Sequence, residues 1–123
     1  MIWRTPKIEH GVMTEWNWLV LHPENLTIGK RVDIGALTFI NAKQGVTLCD
    51  DVQIGPHCSI MSVSTIDGKQ GEIIIEKNAR IGANSVIMPG ATIRENAIVG
   101  ACSFVNCDIP ANETWFGTPA RKH

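Results

Sequence analysis

Aliphatic residues recur at every sixth position through the central part of the chain. Thirteen positions of this series hold Ile, Leu or Val, although only 30 of the 123 residues are of these types. The series is Ile28, Ile34, Ile40, Leu48, Ile54, Ile60, Ile66, Ile75, Ile81, Ile87, Ile93, Val99 and Val105. Two extra residues interrupt it before Leu48, and three interrupt it before Ile75. The spacing indicates a repeated structural unit of six residues.

Small or slim residues stand two positions before most of these aliphatics, as Cys58, Ser85 and Ala97 do. An inward residue at every second position is the alternation of a β-strand. Gly often follows the aliphatic, and Asn78 and Asn84 fall between strands, where positive φ angles are tolerated. The pattern therefore predicts an all-β chain of very short strands joined by corners, which is a β-helix.

Three such units would close one triangular coil, so residues eighteen positions apart should stack, once the insertions are allowed for. One predicted column contains Ile40, Ile60, Ile81 and Val99, and another contains Leu48, Ile66, Ile87 and Val105. Aliphatic columns fill the interior, so any chemistry must lie on the outside of the prism. The alternative is a β-sandwich, but sandwich strands alternate with period two and show no six-residue repeat.

The ends of the chain differ from the repeat, and we treat the whole as one domain. Residues 1–25 are predicted to cap the first coil, residues 26–107 to form the coils, and residues 108–123 to form a tail. Trp16, Trp18 and Val20 alternate with other residues, which predicts an edge strand. A nucleotide-stacking platform is the alternative for these tryptophans, but no Lys or Arg is interleaved with them.

Composition and charge argue against nucleic-acid-binding, membrane-spanning and secreted proteins. A net charge of −1 gives no basic field for nucleic acid, and no apolar run approaches the length that crosses a membrane. The N-terminus lacks the apolar segment and cleavage site of a secretory signal. Four cysteines contain no C-x-x-C pair, which favours reduced thiols in the cytoplasm.

Two features are candidates for chemistry. The insertion at residues 67–72 is charged and flanked by glycine, and a loop that leaves a regular scaffold is a common place for function. His57 falls at the corner between Ile54 and Ile60 and is the single histidine within the coils. Histidine is suited to take up a proton near neutral pH, although a solvated corner residue is the alternative interpretation.

Several motifs resemble those of the hexapeptide-repeat, or isoleucine-patch, acyltransferases, a family that includes sugar O- and N-acetyltransferases. The similar stretches are IGANSVIMPGATI at residues 81–93, VGA at 99–101, DIP at 108–110 and FGTPAR at 116–121. This resemblance extends from about residue 26 to residue 121. It implies a single-stranded left-handed parallel β-helix that assembles as a homotrimer, with active sites in the grooves between neighbouring prisms.

The resemblance also implies a reaction. It points to acetyl transfer from acetyl-CoA to a hydroxyl or amine of a sugar or nucleotide-sugar, with no metal. The family's usual catalytic histidine stands near the position of residues 62–65, where this chain has none. His57 is then the expected base, oriented by Asp67 or Glu72 of a neighbouring copy. Backbone N–H groups at a tight corner could stabilise the oxyanion.

Five residues match cofactor-binding positions of the family. Ala83 and Ala101 stand where small side chains let the pantetheine of acetyl-CoA run along the groove. Asn106 and Cys107 match a pair near its polar end, where family members commonly carry Lys in place of Cys107. Arg121 matches a basic tail position that could bind a CoA phosphate.

Two other functions compete. A γ-class carbonic anhydrase needs three histidines on zinc, and His57 stands alone on the coils. A trimeric scaffold that binds a partner without catalysis is favoured by the missing loop histidine. The Gly-Thr-Pro-Ala-Arg tail at residues 117–121 speaks against it, because a scaffold has no evident reason to keep that sequence.

Overall fold

The computed structural model describes residues 2–123 and contains seventeen short strands and one 3-10 turn, Pro23–Asn25. Most of the strands lie on three parallel sheets, which form the three faces of a prism. The fold predicted from the sequence, a left-handed parallel β-helix, is confirmed. No helix among residues 2–123 is long and apolar enough to cross a membrane.

The three faces are defined by their strands. Face A contains β1 Leu19–Leu21, β4 Phe39–Asn41, β7 Ser59–Met61, β12 Val86–Ile87 and β15 Phe104–Val105. Face B contains β2 Leu26–Ile28, β5 Val46–Leu48, β10 Ile73–Ile75 and β13 Thr92–Ile93. Face C contains β3 Asp33–Ile34, β6 Gln53–Ile54, β11 Arg80–Ile81, β14 Ile98–Val99, β16 Thr114–Gly117 and β17 Ala120–Lys122. All pairs within these faces are parallel except β16 with β17, which are antiparallel.

Aliphatic columns fill the prism, one behind each face. Face A supplies Val20, Ile40, Ile60, Ile87 and Val105, and all five side chains are fully buried. Face C supplies Ile34, Ile54, Ile81 and Val99 in the same way. Burial of these side chains contributes most of the stabilisation, at about 25 cal/mol per Å² of apolar surface.

The predicted columns were wrong after the second coil. Ile81 and Val99 stack on Ile54 behind face C, whereas Ile60 is followed by Ile87 on face A. The reason is Ile66, which is not a coil residue but lies outside the prism with 97% of its surface exposed. The insertion therefore includes Ile66, and each later aliphatic of the series lies one face earlier than the sequence series suggests.

The N-terminal segment contains less strand than predicted. β1 begins at Leu19, and Trp16 lies before it, stacked on the buried Trp18 with 6.5 Å between ring centroids. Thr14 anchors this turn, because its backbone N–H donates to the Trp18 carbonyl over 2.8 Å. β1 pairs with β4, so the first strand of face A lies within the segment that the sequence assigned to the cap.

Candidate active site

The corner between faces C and A, here called the histidine edge, carries His57. It is formed by residues 35–38, 55–58, 82–85 and 100–103, one tetrapeptide per coil. The third residue of each tetrapeptide has a positive φ, close to 60° in all four: Leu37, His57, Asn84 and Cys102. His57 is exposed, and its backbone N–H donates to the Ala36 carbonyl over 3.0 Å. Its imidazole forms no hydrogen bond or ion pair with another residue in 2–123 and is therefore available to a ligand.

Glycine gives this edge a smooth surface. A Cβ on Gly55 would lie 2.7 Å from the nitrogen of Ala83, and one on Gly82 would lie 2.5 Å from the nitrogen of Ala101. Because no side chain fits between successive coils here, backbone lines the edge. A shallow groove of about 480 Å³ runs beside it on face C, lined by both glycines together with Pro56 and Ala101. Pro56 directly precedes His57, so the groove ends next to the corner that carries this histidine.

The other candidate residues fall into two groups. Ala83 and Ala101 follow Gly82 and Gly100 on the histidine edge, in the same column as Pro56. Arg121 lies on β17 beyond the last coil of face C, in register with Phe116. Asn106 and Cys107 follow β15 and therefore lie at the opposite side of face A. The single chain brings His57, Ala83 and Ala101 to one edge and places Arg121 beyond the last coil of face C, and it does not bring Asn106 and Cys107 to that edge.

Cys58, next to His57, is a packing residue as the sequence suggested. Its side chain is buried and its thiol donates to the Gly82 carbonyl over 3.3 Å. Burial raises the pKa of this thiol above its ordinary value, so the thiol stays protonated near neutral pH. Cys58 is thus not an activated nucleophile, which agrees with direct transfer to an acceptor.

The corner between faces A and B, here called the arm edge, carries the large insertion. Residues 62–72, named the arm, leave after β7 and return at β10, and they contain an antiparallel hairpin of β8 Val63–Ser64 and β9 Lys69–Gln70. The base of the arm is anchored by Ser62, whose Oγ donates to the Asn41 carbonyl over 2.6 Å. A second contact joins the Gln44 and Gln70 side chains over 2.8 Å. The base is therefore fixed to the prism while the tip projects away from it.

Carboxylates stand at both ends of the arm. Asp67 is at the tip, where a hydrogen bond from the Ser64 hydroxyl lowers the pKa of its carboxyl and the Lys69 ammonium lies 3.8 Å away. Glu72 is at the base, where a Cβ built on Gly45 would lie 3.4 Å from its carboxylate. Among residues 2–123, no three His, Cys, Asp or Glu side chains are grouped closely enough to hold a metal ion.

The third edge, between faces B and C, is held by side-chain ladders. Asn78 donates to Asn96 over 2.7 Å, and Asn96 donates to Asn112 over 3.1 Å. Arg31 donates to both carboxylate oxygens of Asp51, over 2.7 and 3.1 Å, and this hydrogen bond lowers the Asp51 pKa. These contacts join successive coils, so this edge has a structural role.

Face A has an apolar outer surface that the sequence reasoning missed. Its outward residues are in register along the sheet and all are partly exposed: Leu19, Phe39, Ser59, Val86 and Phe104. The corresponding residues of face C include the charged Asp33 and Arg80. The signal was present, because each residue of this row directly precedes an inward aliphatic. The row can be recognised only when each strand is assigned to its correct face.

Two family models match the coils. Residues 72–107 match the bacterial transferase hexapeptide model of six repeats, and residues 25–56 match the hexapeptide repeat of succinyl-transferase. Together they cover more than half of the chain. The chain belongs to the hexapeptide-repeat acyltransferase family.

Relatives of this hexapeptide-repeat protein are acetyltransferases. Galactoside O-acetyltransferase of Lactococcus lactis subsp. lactis (strain IL1403) is 37% identical over 108 residues, which cover 74% of this chain and 51% of the relative. The dTDP-3-amino-3,6-dideoxy-alpha-D-galactopyranose 3-N-acetyltransferase of Aneurinibacillus thermoaerophilus is 53% identical over 51 residues, 42% of this chain and 27% of that protein. The chain therefore spans about half the length of the first relative and less of the second.

A solved structure has the same fold. The hexapeptide-repeat acetyltransferase of Vibrio cholerae O1 biovar eltor, complexed with acetyl coenzyme A, superposes with a TM-score of 0.80 at 29% identity. The match covers 85% of this chain and 62% of that chain.

Proposed function

We propose that the protein transfers an acetyl group from acetyl-CoA to a hydroxyl or amine of a sugar or nucleotide-linked sugar. The observation that carries the proposal is the exposed and unpartnered His57 at a corner beside a groove that Gly55 and Gly82 help to line. The relatives named above act on a galactoside and on a dTDP-linked amino sugar, and the Vibrio cholerae structure holds acetyl-CoA. Use of acetyl-CoA goes with a cytoplasmic location, and the four free cysteines fit that location.

A homotrimer completes the site on geometric grounds. Face A presents the apolar row, so we place it toward a three-fold axis parallel to the prism, where copies cover it. When three triangular prisms each turn one face to a common axis, the two corners of that face meet the corners of the neighbours. The histidine edge of one copy then lies against the arm edge of the next.

The heights of the two edges agree with this arrangement. His57 lies two residues before β7, and the arm begins directly after β7, so both belong to the same coil. A rotation about an axis preserves height along it. Each interface of the trimer would therefore bring His57 of one copy level with the arm of its neighbour.

The same cleft accounts for both groups of cofactor residues. Ala83 and Ala101 of one copy would line it from the histidine edge, and Asn106 and Cys107 of the neighbouring copy would line it from the arm edge. Arg121 lies at the end of the cleft, where a guanidinium could bind a CoA phosphate. The two groups are apart in one chain because they are contributed by different copies.

The chemistry then follows from His57. The arm contains no histidine, so His57 takes the proton of the acceptor hydroxyl or amine as the acceptor attacks the thioester carbonyl carbon. Backbone N–H groups at the corner stabilise the oxyanion that forms. Collapse breaks the carbon–sulfur bond, and the CoA sulfur leaves with the proton that His57 returns. A carboxylate of the neighbouring arm, Asp67 or Glu72, orients the imidazole.

Acetyl-CoA is expected to raise the melting temperature of the protein. Ligand at one hundred times its Kd stabilises the folded state by about 2.7 kcal/mol, which is several degrees for a domain of this size. Differential scanning fluorimetry with acetyl-CoA measures the shift, and transfer to a panel of sugars and dTDP-amino sugars measures activity. Ala101→Trp is the matched control, because Ala101 is exposed and a large side chain there should fill the groove without disturbing the core.

The outcomes separate an enzyme from a scaffold. A shift in the natural protein that Ala101→Trp removes supports a CoA site on the histidine edge. The absence of a shift at millimolar acetyl-CoA would contradict the proposed function and favour a non-catalytic trimer.

A further inference from the structure

Ile66 has an exposure that a single chain does not explain. It occupies the turn of the arm hairpin, with 97% of its surface exposed and with the polar residues Thr65 and Asp67 on either side. A large aliphatic side chain at the tip of a projecting, anchored hairpin is typical of a contact with another surface. The surface that Ile66 contacts must lie outside the chain's own prism, because the arm projects away from that prism.

Face C offers a surface of matching character. Ile98 points outward from β14 with 42% of its surface exposed, and it is in register with Arg80 on the adjacent strand. Both residues line the groove beside the histidine edge. The Arg80 guanidinium has no ion-pair partner among residues 2–123. An apolar side chain and an unpaired cation therefore stand side by side.

The tip of the arm carries the complementary pair. Ile66 is apolar, and Asp67 beside it is an anion whose pKa is lowered by the Ser64 hydroxyl. In the trimer proposed above, the base of the arm meets the histidine edge of the neighbour, and that edge borders face C. A hairpin that continues past this edge reaches the groove on face C, where Arg80 lies one coil beyond β6, the strand that leads to His57, and Ile98 lies one coil further.

We propose that the arm tip of each copy docks on face C of its neighbour, with Ile66 against Ile98 and Asp67 against Arg80. The proposal rests on the trimer of the proposed function. It divides the two carboxylates of the arm between two roles: Asp67 at the tip holds the neighbouring copy, and Glu72 at the base orients His57. Ile66 and Asp67 are thus positioning residues that close the groove over the bound substrates.

Disulfide trapping tests the contact directly. In a Cys102→Ser background, which removes the exposed thiol of the histidine edge, the pair Ile66→Cys and Ile98→Cys is oxidised with diamide. We expect covalent dimers and trimers on non-reducing gels, at about tenfold the yield of the control pair, because a disulfide forms only when the Cβ atoms approach within a few ångströms. The control pair is Ile66→Cys with Lys77→Cys, since Lys77 is exposed at the distant edge between faces B and C.

A charge exchange provides a second measurement. Asp67→Lys and Arg80→Glu should each weaken the trimer, measured by sedimentation equilibrium, and the double variant should recover most of the loss. Equal weakening in single and double variants would contradict the pairing of these two residues.

The failure of the docking and the failure of the proposed function are distinguishable. A trimer that binds acetyl-CoA but gives no more product with the Ile98 pair than with the Lys77 pair would overturn the docking and leave the function standing. Cross-linking in a protein that shows no acetyl-CoA shift would support the docking and overturn the function. A monomer would overturn both.

Discussion

His57→Asn is expected to lower kcat for acetyl transfer by about two to four orders of magnitude, which is the usual contribution of a general base. Asparagine is the variant of choice because His57 has a φ of 58°, where an alanine would add backbone strain. Asn84 occupies the same corner position one coil later with a φ of 60°. The substitution therefore removes the imidazole and keeps the corner.

The measurement is steady-state transfer together with an acetyl-CoA titration. The acetyl-CoA-induced melting shift of His57→Asn should equal that of the natural protein, because the imidazole acts on the acceptor proton and does not hold the cofactor. Leu37→Asn is the matched control, since Leu37 occupies the same column one coil earlier with a φ of 64°. If both variants turn over at the natural rate, His57 has no catalytic role.

Ile75→Asp is expected to unfold the protein, whereas Ile74→Asp is expected to leave it folded. The two residues are neighbours in β10, but Ile75 is fully buried in the column behind face B and Ile74 points outward. An unpaired carboxylate in the aliphatic column costs several kcal/mol, a large part of the total stability of about 5–15 kcal/mol. Circular dichroism during thermal or urea unfolding compares the two variants.

The pair also tests the corrected strand assignment. Because β-strand alternation decides which of the two isoleucines is inside, equal destabilisation by both substitutions would contradict the position of β10 on face B. If both variants were as stable as the natural protein, the result would contradict the buried column itself.

The period of six was enough to predict the fold, because it reports the corner spacing directly. Ile40, Ile54 and Ile60 are all inward, as predicted, and Gly55 after Ile54 lets the next coil approach closely. The series failed at Ile66, which fits the period by coincidence. Nothing in the local sequence distinguishes an inward isoleucine from one on a projecting hairpin. Only the pairing of β10 with β5 shows that the coil resumes at Ile73.

The candidate site was predictable in part. His57 was identified because it is the single histidine within the coils, and its corner position agrees with the structure. The outer row of face A and the pair formed by Arg80 and Ile98 were missed, because they depend on which strands are neighbours. Strand neighbours in a β-helix lie about twenty residues apart, and each insertion changes that distance.

The separation of His57 from the arm has a consequence for regulation of activity by concentration. In one chain the two features lie on opposite sides of face A, so under the proposed function a monomer holds no complete site. Dilution that dissociates the proposed trimer should therefore remove activity and acetyl-CoA binding together.

The most direct test of a site shared between copies is subunit mixing. His57→Asn is combined with an arm variant that carries Ile66→Asp, Asp67→Asn and Glu72→Gln, and trimers that contain both are isolated through two different tags. Each parent should be nearly inactive, whereas the isolated mixed trimers should recover about a third of the natural kcat, because one of their three interfaces then joins an intact His57 to an intact arm. Mixed trimers no more active than the average of their parents would contradict a site built from two copies.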